Sequence, residues 1–194
     1  MEIYINESDG KTYLNGLISE ADVRNGNNRI YPASILKPAI LDLARRVSEG
    51  PVYTEREHPN RIEVDESLAC GMIIEVKWNE LKKNARCKVQ VLEHTSAGMK
   101  LLSDIKAGVK VGISTRGRGS MNSDKVIESI TFMTADIVSI PSCQNCWLSE
   151  SVGELMPNDF IMEYDISGAM KIQTERTLKD MAILQAFENT LGRR

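Results

Sequence analysis

The sequence predicts an α+β protein of mostly antiparallel strands, arranged as a barrel or a sandwich, with two helices inserted between the strands. Its apolar runs are short, and one of them alternates with polar residues, as a half-buried antiparallel strand does. Two other segments repeat apolar residues at helical spacing. With 194 residues, 42% of them hydrophobic and 26% charged, the chain is long enough for a sizeable core and has the composition of a globular protein.

The first elements are a strand, a turn and a helix. The run "TYLNGLIS" is typical of a strand, and "RNGNNR" is rich in the Asn and Gly that favour turns. After Pro32, apolar residues recur at steps of four, three and four, which places them on one face of a helix: Leu36, Ile40, Leu43 and Val47. Pro38 falls near the first turn of this helix, where proline costs least, and Gly50 ends it.

The middle of the chain predicts a hairpin, a second helix and two more strands. The runs "ACGMIIEVKW" and "ARCKVQVLE" flank the polar stretch "NELKKN" and form the hairpin. "TSAGMKLLSDIKAG" is a short helix with a Thr or Ser cap, Leu101, Leu102 and Ile105 on its inner face, and Gly108 beyond its end. "VKVGIS" and "KVIESITFMTADIVSIP" are further strands. This order favours an α+β barrel or sandwich over a doubly wound sheet.

The character of the chain changes near Ser149, where the polar stretch "SESVGELMPND" begins. Beyond it, apolar residues at steps of three and four predict an amphipathic terminal helix: Leu178, Met181, Leu184, Phe187 and Leu191. We therefore expect a domain over residues 1–148 and, over 149–194, a polar linker with this helix. The pattern leaves open whether the helix packs on the domain or is a tail that binds a partner.

Charge and motif content exclude several classes of function. A net charge of -3 and a pI of about 5.5 argue against nucleic-acid binding by bulk charge. No run approaches the length of a membrane helix, and no secretory signal is predicted. The spacing of Cys143 and Cys146 occurs in redox and zinc sites, but Cys70 and Cys87 supply no second close pair. We expect reduced thiols, no metal and no cofactor.

The stretch "VKVGISTRGRGS" contains the first candidate for chemistry. The apolar run ends at Ser114, and two arginines and two glycines follow it. The order of residues does not fit a phosphate-binding loop, whereas a solvated turn and a serine nucleophile both remain open. A nucleophile requires a base and donors for the oxyanion. Arg116 supplies a charge two residues away, and glycines let the backbone approach a substrate closely.

The base and its partner have few candidates. The chain contains two histidines, and His94 lies between a strand end and a helix cap, where a structural role is the simpler reading. His58 lies in the polar loop "TEREHPNRIEVD", and Pro59 biases it toward an extended backbone. Asp136 interrupts the apolar run "ITFMTADIVSIP", so its carboxylate either faces solvent or is paired.

The blocks "NGNNRIYP", "EREHP", "GMKLLSDIKAGVKVGISTRGRGS" and "ADIVSIPS" occur in this order in the sequence. Over roughly residues 14–148 the chain resembles the prohead proteases of large tailed bacteriophages, the T-even-type capsid-maturation peptidases, a family distantly similar to the herpesvirus assemblins. The resemblance implies a serine protease whose fold is a β-barrel ringed by helices. The family often has Gly-Glu-Leu before the histidine. Here the residues are "TERE", and Glu55 and Glu57 are expected to alter the substrate groove.

Carried over residue by residue, the resemblance makes His58 the base, Ser114 the nucleophile and Asp136 the third catalytic residue. It places Arg116 near the oxyanion and Gly117, with its backbone N–H, beside it. It also implies cleavage after Glu in Leu/Ile-x-Glu. The chain contains such tripeptides ending at Glu20, Glu75, Glu150 and Glu163. We expect protection of Glu75 within a strand and self-cleavage at the others, above all at Glu150 and Glu163, which would release the terminal helix.

The resemblance also implies partners and a location. The expected substrates are scaffold or core proteins and the major capsid protein, processed inside the prohead in the host cytoplasm. No membrane or specific nucleic acid is expected as a partner, and a homo-oligomer is left open. Two other classes of function compete with this reading. One is a non-catalytic prohead core or scaffold component with the same fold, and the other is a nucleic-acid-binding module that uses "STRGRG".

Overall fold

The computed structural model describes residues 10–150 and the backbone of 162–164 and 170–172. The chain divides into two compact units, residues 1–153 and 154–194. In the first unit the elements are β1 (Tyr13–Glu20), α1 (Ala33–Glu49), β2 (Val52–Thr54), a single 3-10 turn (Glu66–Leu68), β3 (Gly71–Asn79), β4 (Asn84–Val91), α2 (Ser96–Lys106), β5 (Gly112–Met121), β6 (Ile127–Val138) and β7 (Leu148–Glu150). In the second unit, β8 (Met162–Tyr164) and β9 (Met170–Ile172) form an antiparallel pair.

The strands of the first unit form two antiparallel sheets. One has the order β2-β3-β4-β1-β7, and β5 pairs with β6 in the other. The predicted α+β class with mostly antiparallel strands is therefore confirmed. Over residues 10–150 the two sheets are not joined into one closed barrel, so the barrel stays a prediction.

Backbone hydrogen bonds connect the two sheets at both edges. After β2, the amide of Glu57 donates to the carbonyl of Ile137 at 2.8 Å, and Ile137 donates to Glu55 at 2.9 Å. Before β7, Ile113 donates to the carbonyl of Cys146 at 2.9 Å, and Leu148 donates to Val111 at 2.9 Å. Since these bonds satisfy backbone groups that edge strands would otherwise leave open, they hold β6 and β5 against the larger sheet.

The helices form where the apolar spacing predicts them. α1 begins after Pro32, and the residues that it buries are Leu36, Ala39, Ile40 and Leu43. It packs against β3 and β6. Thr95 caps α2, where its hydroxyl accepts the amide of Gly98 at 3.0 Å, and Leu101 and Ile105 are buried. No helix within the described residues is long and apolar enough to cross a membrane.

The core lies between the sheets and α1 and is almost entirely aliphatic. Its largest fully buried side chains include Phe132, Leu14, Leu36, Ile73 and Ile113. The predicted hairpin is confirmed, since β3 pairs with β4 and the inward residues of β4 are the alternating ones: Ala85, Cys87, Val89 and Val91. The predicted terminal helix lies outside the described residues.

One strand differs from the expectation. The apolar run was expected to end at Ser114 in a flexible glycine-rich segment, but β5 continues through it to Met121. Gly117 and Gly119 lie in the ladder, and a Cβ on them would come within 2.3 Å of the Thr131 carbonyl oxygen and 2.0 Å of the Ser129 carbonyl oxygen. These glycines therefore allow close approach of β6, and they do not make the segment flexible.

Candidate active site

Strand pairing brings Ser114 and Asp136 together. The two residues are direct partners in the antiparallel ladder of β5 and β6. Residues directly opposite each other in such a ladder project to the same face of the sheet. His58 comes from the loop after β2, and a bridge between Arg56 and Ile137 holds this loop beside β6. The three residues predicted from the sequence thus come from three separate parts of the chain and meet at one place.

His58 and Asp136 form a hydrogen-bonded pair. Nδ1 of His58 lies 2.8 Å from Oδ2 of Asp136. The aspartate is fully buried, whereas 44% of the histidine side chain is exposed. An ionised carboxylate only accepts, so the histidine nitrogen donates in this bond. The arrangement fixes the ring and leaves Nε2 available to accept a proton, as a general base must.

The hydroxyl of Ser114 is nearly buried and lies next to a second serine. Its Oγ is 3.3 Å from Oγ of Ser142, and the residue is 6% exposed. Among the described residues, its hydrogen-bond partner is this serine and not His58. Ser114 and His58 nevertheless line one cavity. Catalytic hydrogen bonds are often long or unmade before substrate binds.

Arg116 is buried between two carboxylates. Its Nη2 donates to Asp136 Oδ1 at 3.0 Å and to Glu55 Oε2, and its Nε lies 2.9 Å from Asp136 Oδ2. Its Nη1 donates to the carbonyl oxygens of Arg61 and Glu63, at 3.1 and 3.0 Å. The guanidinium therefore contacts the residue that holds His58. The predicted role of Arg116 at the oxyanion stays a prediction.

Several contacts at the site were not predicted from the sequence. Glu55 is 2% exposed and is bound by Arg116 and by Arg61. The segment "TERE", which contains Glu55, departs from the residues that the family often has before the histidine. The neighbouring sequence does not indicate that Glu55 is buried. Ser142 carries no signal of its own, because a serine after proline is ordinary in a turn. Only the charge alternation in "EREHPNR" could have suggested an ion-pair network.

The cavity has a volume of about 430 Å³. It is lined by Ser114, His58, Arg116, Gly117 and Ser142, and also by three further arginines and one glutamate: Arg24, Arg29, Arg61 and Glu20. The other histidine, His94, is exposed in the turn before α2 and does not line it. Of the arginines that line it, Arg61 and Arg116 are paired with buried carboxylates, whereas Arg24 and Arg29 form no ion pair within the described residues.

The four cysteines are free thiols. Hydrogen bonding from the Cys146 thiol lowers the pKa of Cys143, and the same bond raises the pKa of Cys146. Burial raises the pKa of Cys70 to about 11 and that of Cys87 to about 12. Within the part of the chain that the structure describes, no group of three or more His, Cys, Asp or Glu side chains is arranged to hold a metal ion.

The glutamates predicted as self-cleavage sites differ in the strands with which their backbones pair. Glu20 ends β1, pairs with Asn84, and its Oε2 accepts from Asn145 Nδ2 at 2.9 Å. The backbone of Glu150 pairs with Leu14 at the end of β7. The backbone of Glu163 lies in β8 and pairs with Lys171 of β9. Glu75 lies inside β3 and pairs with Lys88, where protection is expected.

Comparison with known proteins identifies the family of the chain. The sequence matches the family described as "Prohead core protein serine protease" over residues 4–154. It is 29% identical over 144 residues to the prohead core protein protease of Enterobacteria phage T4, covering 71% of this chain and 68% of that protein. The structure resembles that of the bacteriophage T4 capsid assembly protease, with a TM-score of 0.60 and 28% identity over 65% of this chain and 80% of the other. The resemblance predicted from the sequence blocks is confirmed.

Proposed function

Because this chain belongs to the prohead core serine protease family, we propose that it is a serine endopeptidase that processes scaffold and capsid proteins inside the immature phage capsid. One observation carries the proposal. His58, which is hydrogen-bonded to the buried Asp136 at 2.8 Å, lines the same cavity as Ser114. A histidine held by a buried carboxylate is the base that a serine hydroxyl needs in order to act as a nucleophile.

In the proposed reaction, Ser114 Oγ attacks the carbonyl carbon of the substrate peptide bond while Nε2 of His58 accepts the hydroxyl proton. Asp136 keeps the ring oriented and stabilises the imidazolium that forms. His58 then gives the proton to the leaving amine, the C–N bond breaks, and the acyl group stays on Ser114. Water, deprotonated by the same histidine, releases the new carboxyl group and restores the serine.

The oxyanion formed in each step requires nearby donors. Arg116 and Gly117 line the cavity and are the candidates for this role. The contacts of Arg116 with both oxygens of Asp136 support a second task for its guanidinium. We propose that Arg116 is a positioning residue, which holds the carboxylate against His58.

We further propose cleavage after Glu in Leu/Ile-x-Glu. Two lining arginines, Arg24 and Arg29, support an acidic substrate side chain, because neither forms an ion pair within the described residues. The substrates proposed on this basis are the scaffold or core proteins and the major capsid protein. The relatives named above are a prohead core protease and a capsid assembly protease, which supports a location inside the prohead.

Self-cleavage is part of the proposal. We place the candidate sites at Glu150, Glu163 and Glu20, so that cuts at the first two separate the protease domain, 1–148, from the linker and terminal helix, 149–194. The hydrogen bonds at both edges of the two sheets support the further proposal that β1–β7 act as a single barrel. The proposed reaction uses protein groups and water, with no cofactor, and needs neither a membrane nor a nucleic acid.

The decisive test is covalent labelling of the purified protein by a phosphonate probe that reacts with activated serines, read by intact mass and peptide mapping. We expect one adduct, on Ser114, and none in Ser114→Ala or His58→Ala. The matched control is Ser120→Ala, because Ser120 lies on the same strand but is exposed and pairs with Ser129. This variant should label like wild type.

Hydrolysis of a peptide containing Leu-x-Glu is the second readout. Wild type and Ser120→Ala should cleave it at the same rate, and Ser114→Ala should not. If wild type neither labels nor cleaves under conditions in which it is folded, the non-catalytic prohead core component becomes the better description. Binding of DNA that weakens with rising salt would instead support the nucleic-acid module.

A further inference from the structure

Besides Arg116, three arginines line the cavity, and they differ in what they bind. Arg61 is paired with Glu55. Nη1 of Arg24 donates to the carbonyl and to the side-chain oxygen of Asn28, at 2.9 and 3.0 Å. For Arg29, residues 10–150 provide the guanidinium with neither an ion pair nor a hydrogen bond, although the residue is partly buried and lines the cavity. A guanidinium without a partner is free to bind an anion with its N–H donors.

The backbone of Arg29 is held in place by its own turn. Its amide donates to Oδ1 of Asn25 at 2.9 Å, and its carbonyl accepts the amide of Asn25 at 2.9 Å. The next residue, Ile30, donates to the carbonyl of Lys125 at 3.1 Å, which ties the turn to the hairpin of β5 and β6. A binding group on such a fixed support holds its ligand at a defined position.

The same turn is also tied to the neighbour of the nucleophile. The amide of Gly26 donates to the carbonyl of Ser142 at 2.7 Å, and the hydroxyl of Ser142 contacts Ser114. The turn that carries Arg29 is therefore fixed relative to the serine. Arg29 and Ser114 line the same cavity, so a substrate bound there can contact both residues.

The carboxylate of Glu20 is the one anionic side chain among the residues that line the cavity, and it is occupied. Its Oε2 accepts from Asn145 Nδ2 at 2.9 Å and from the Cys143 thiol at 3.4 Å. No ion pair joins it to Arg29 within residues 10–150. Within residues 10–150 neither Arg24 nor Arg29 forms an ion pair, and of the two Arg29 also lacks a side-chain hydrogen bond, so an anion from outside can pair with it.

We infer that Arg29 binds the carboxylate of an acidic substrate side chain next to the bond that is cut, and so determines the specificity of the protease. This inference rests on the proposed function and deepens it. A guanidinium matches a carboxylate with two parallel N–H···O bonds, which a neutral amide side chain cannot reproduce. Arg29 is then a specificity residue, because it contacts the substrate and takes no part in proton transfer.

The test compares two peptides that differ only in Glu or Gln at the cleavage position. For Arg29→Met, we expect kcat/KM on the Glu peptide to fall about 10- to 100-fold, the range for loss of a charge-assisted hydrogen bond. On the Gln peptide the fall should be smaller, because the amide oxygen accepts from the guanidinium but does not form the two parallel bonds of a carboxylate. Arg29→Lys, which keeps the charge but not the fork, should fall in between.

Arg118→Met is the matched control. It removes the same charge from β5, but Arg118 is exposed, lies outside the cavity and contacts Glu63 at 3.5 Å. This variant should keep the preference of wild type for Glu over Gln. Thermal unfolding of Arg29→Met should match wild type, because the guanidinium that it removes has no partner in the described part of the chain. A Glu preference that survives in a folded Arg29→Met overturns the inference.

Failure of the inference and failure of the proposed function give different results. If Ser114 labels and peptides are cut, but Arg29→Met keeps the Glu preference, only the role of Arg29 is wrong. If wild type is inactive, calorimetric binding of the two peptides to Ser114→Ala, with and without Arg29→Met, decides about Arg29 by itself. Tighter binding of the Glu peptide that disappears in the double variant supports it, and equal binding of both peptides overturns it.

Discussion

Arg116 shows how a buried charge is tolerated next to the reacting groups. Asp136 is fully buried and Glu55 nearly so, and a buried carboxylate needs a cation and hydrogen bonds to offset its lost hydration. Arg116 supplies both to the two residues at once. The same contacts fix the carboxylate that orients His58, so stability and catalysis depend on one side chain.

Replacing Arg116 should be costly for this reason. We expect Arg116→Met to lower the free energy of unfolding by about 3–5 kcal/mol, because it leaves two buried carboxylates without their shared cation. Urea unfolding followed by circular dichroism measures the change. Arg118→Met is the control, with a change within about 0.5 kcal/mol expected for an exposed side chain. Equal stability of the two variants would contradict the structural importance of the buried pair.

The thiols provide a second prediction at the scale of single residues. The pKa of Cys143 is lowered by hydrogen bonding from Cys146, whereas burial raises the pKa values of Cys70 and Cys87. The thiolate is the reactive form, so a lower pKa gives more of it at a given pH. We therefore expect iodoacetamide to alkylate Cys143 first, and its reaction to level off at a lower pH than that of an ordinary thiol.

Peptide mapping after timed alkylation from about pH 6 to 9, which brackets the ordinary thiol pKa, checks this order. Cys143→Ser should remove the fast phase and leave the slow reaction of the buried thiols. A fast phase at Cys70 or Cys87 would show that burial does not govern the reactivity of these thiols.

Among the elements, β5 contributes the most residues that the site depends on. It places Ser114 and Arg116 on the strand that faces Asp136, and it stays paired with β6 along its length. Gly117 makes this possible, because a side chain there would meet the backbone of Thr131 and Phe132. The glycine-rich sequence beyond Ser114 is thus a requirement of strand packing.

Gly117→Ala tests this point. Its Cβ would lie 2.3 Å from the Thr131 carbonyl oxygen, so the two strands must separate. We expect a loss of stability of about 1–3 kcal/mol, the usual cost of overpacking, together with a loss of peptide hydrolysis. Gly50→Ala is the control, since nothing lies within 4 Å of the added Cβ. Equal thermal stability of the two variants would mean that β6 adjusts without cost.

At the scale of the whole molecule, the strand pairing around each candidate glutamate predicts an order of self-cleavage. A protease binds its substrate as an extended, accessible strand. Glu150 must leave its pairing with β1. Glu20 pairs with Asn84 at the end of an eight-residue strand, and its side chain also accepts from Asn145 and Cys143. Glu163 lies in a two-stranded hairpin, which is a marginal structure by itself.

We therefore expect the cut after Glu163 to appear first, the cut after Glu150 later, and the cut after Glu20 last. Intact-mass spectrometry over time measures the order. Glu163→Gln should delay only the first product, and Ser114→Ala should abolish all of them. Early cleavage at Glu20 would contradict the argument from strand pairing.

Part of this structure follows directly from local sequence patterns. Helix α1, helix α2 and the hairpin of β3 and β4 lie where apolar spacing, caps and turn residues place them, because such signals act over a few residues. The candidate residues followed from scarcity, since the chain has two histidines and one conspicuous aspartate in an apolar run. The short β2 and the part of β5 beyond Ser114 were not predicted, because neither segment shows a regular spacing of apolar residues.

The sequence by itself determined the class of the fold, the family and the identities of His58, Ser114 and Asp136 as candidates. Only the tertiary structure decided that Asp136 is buried against His58, that Arg116 joins it to Glu55, and that Arg29 enters the cavity without a partner. These contacts join positions up to 78 residues apart. They depend on which strands pair and in what register, and a long-range pairing of that kind leaves no signal in the local pattern of residues.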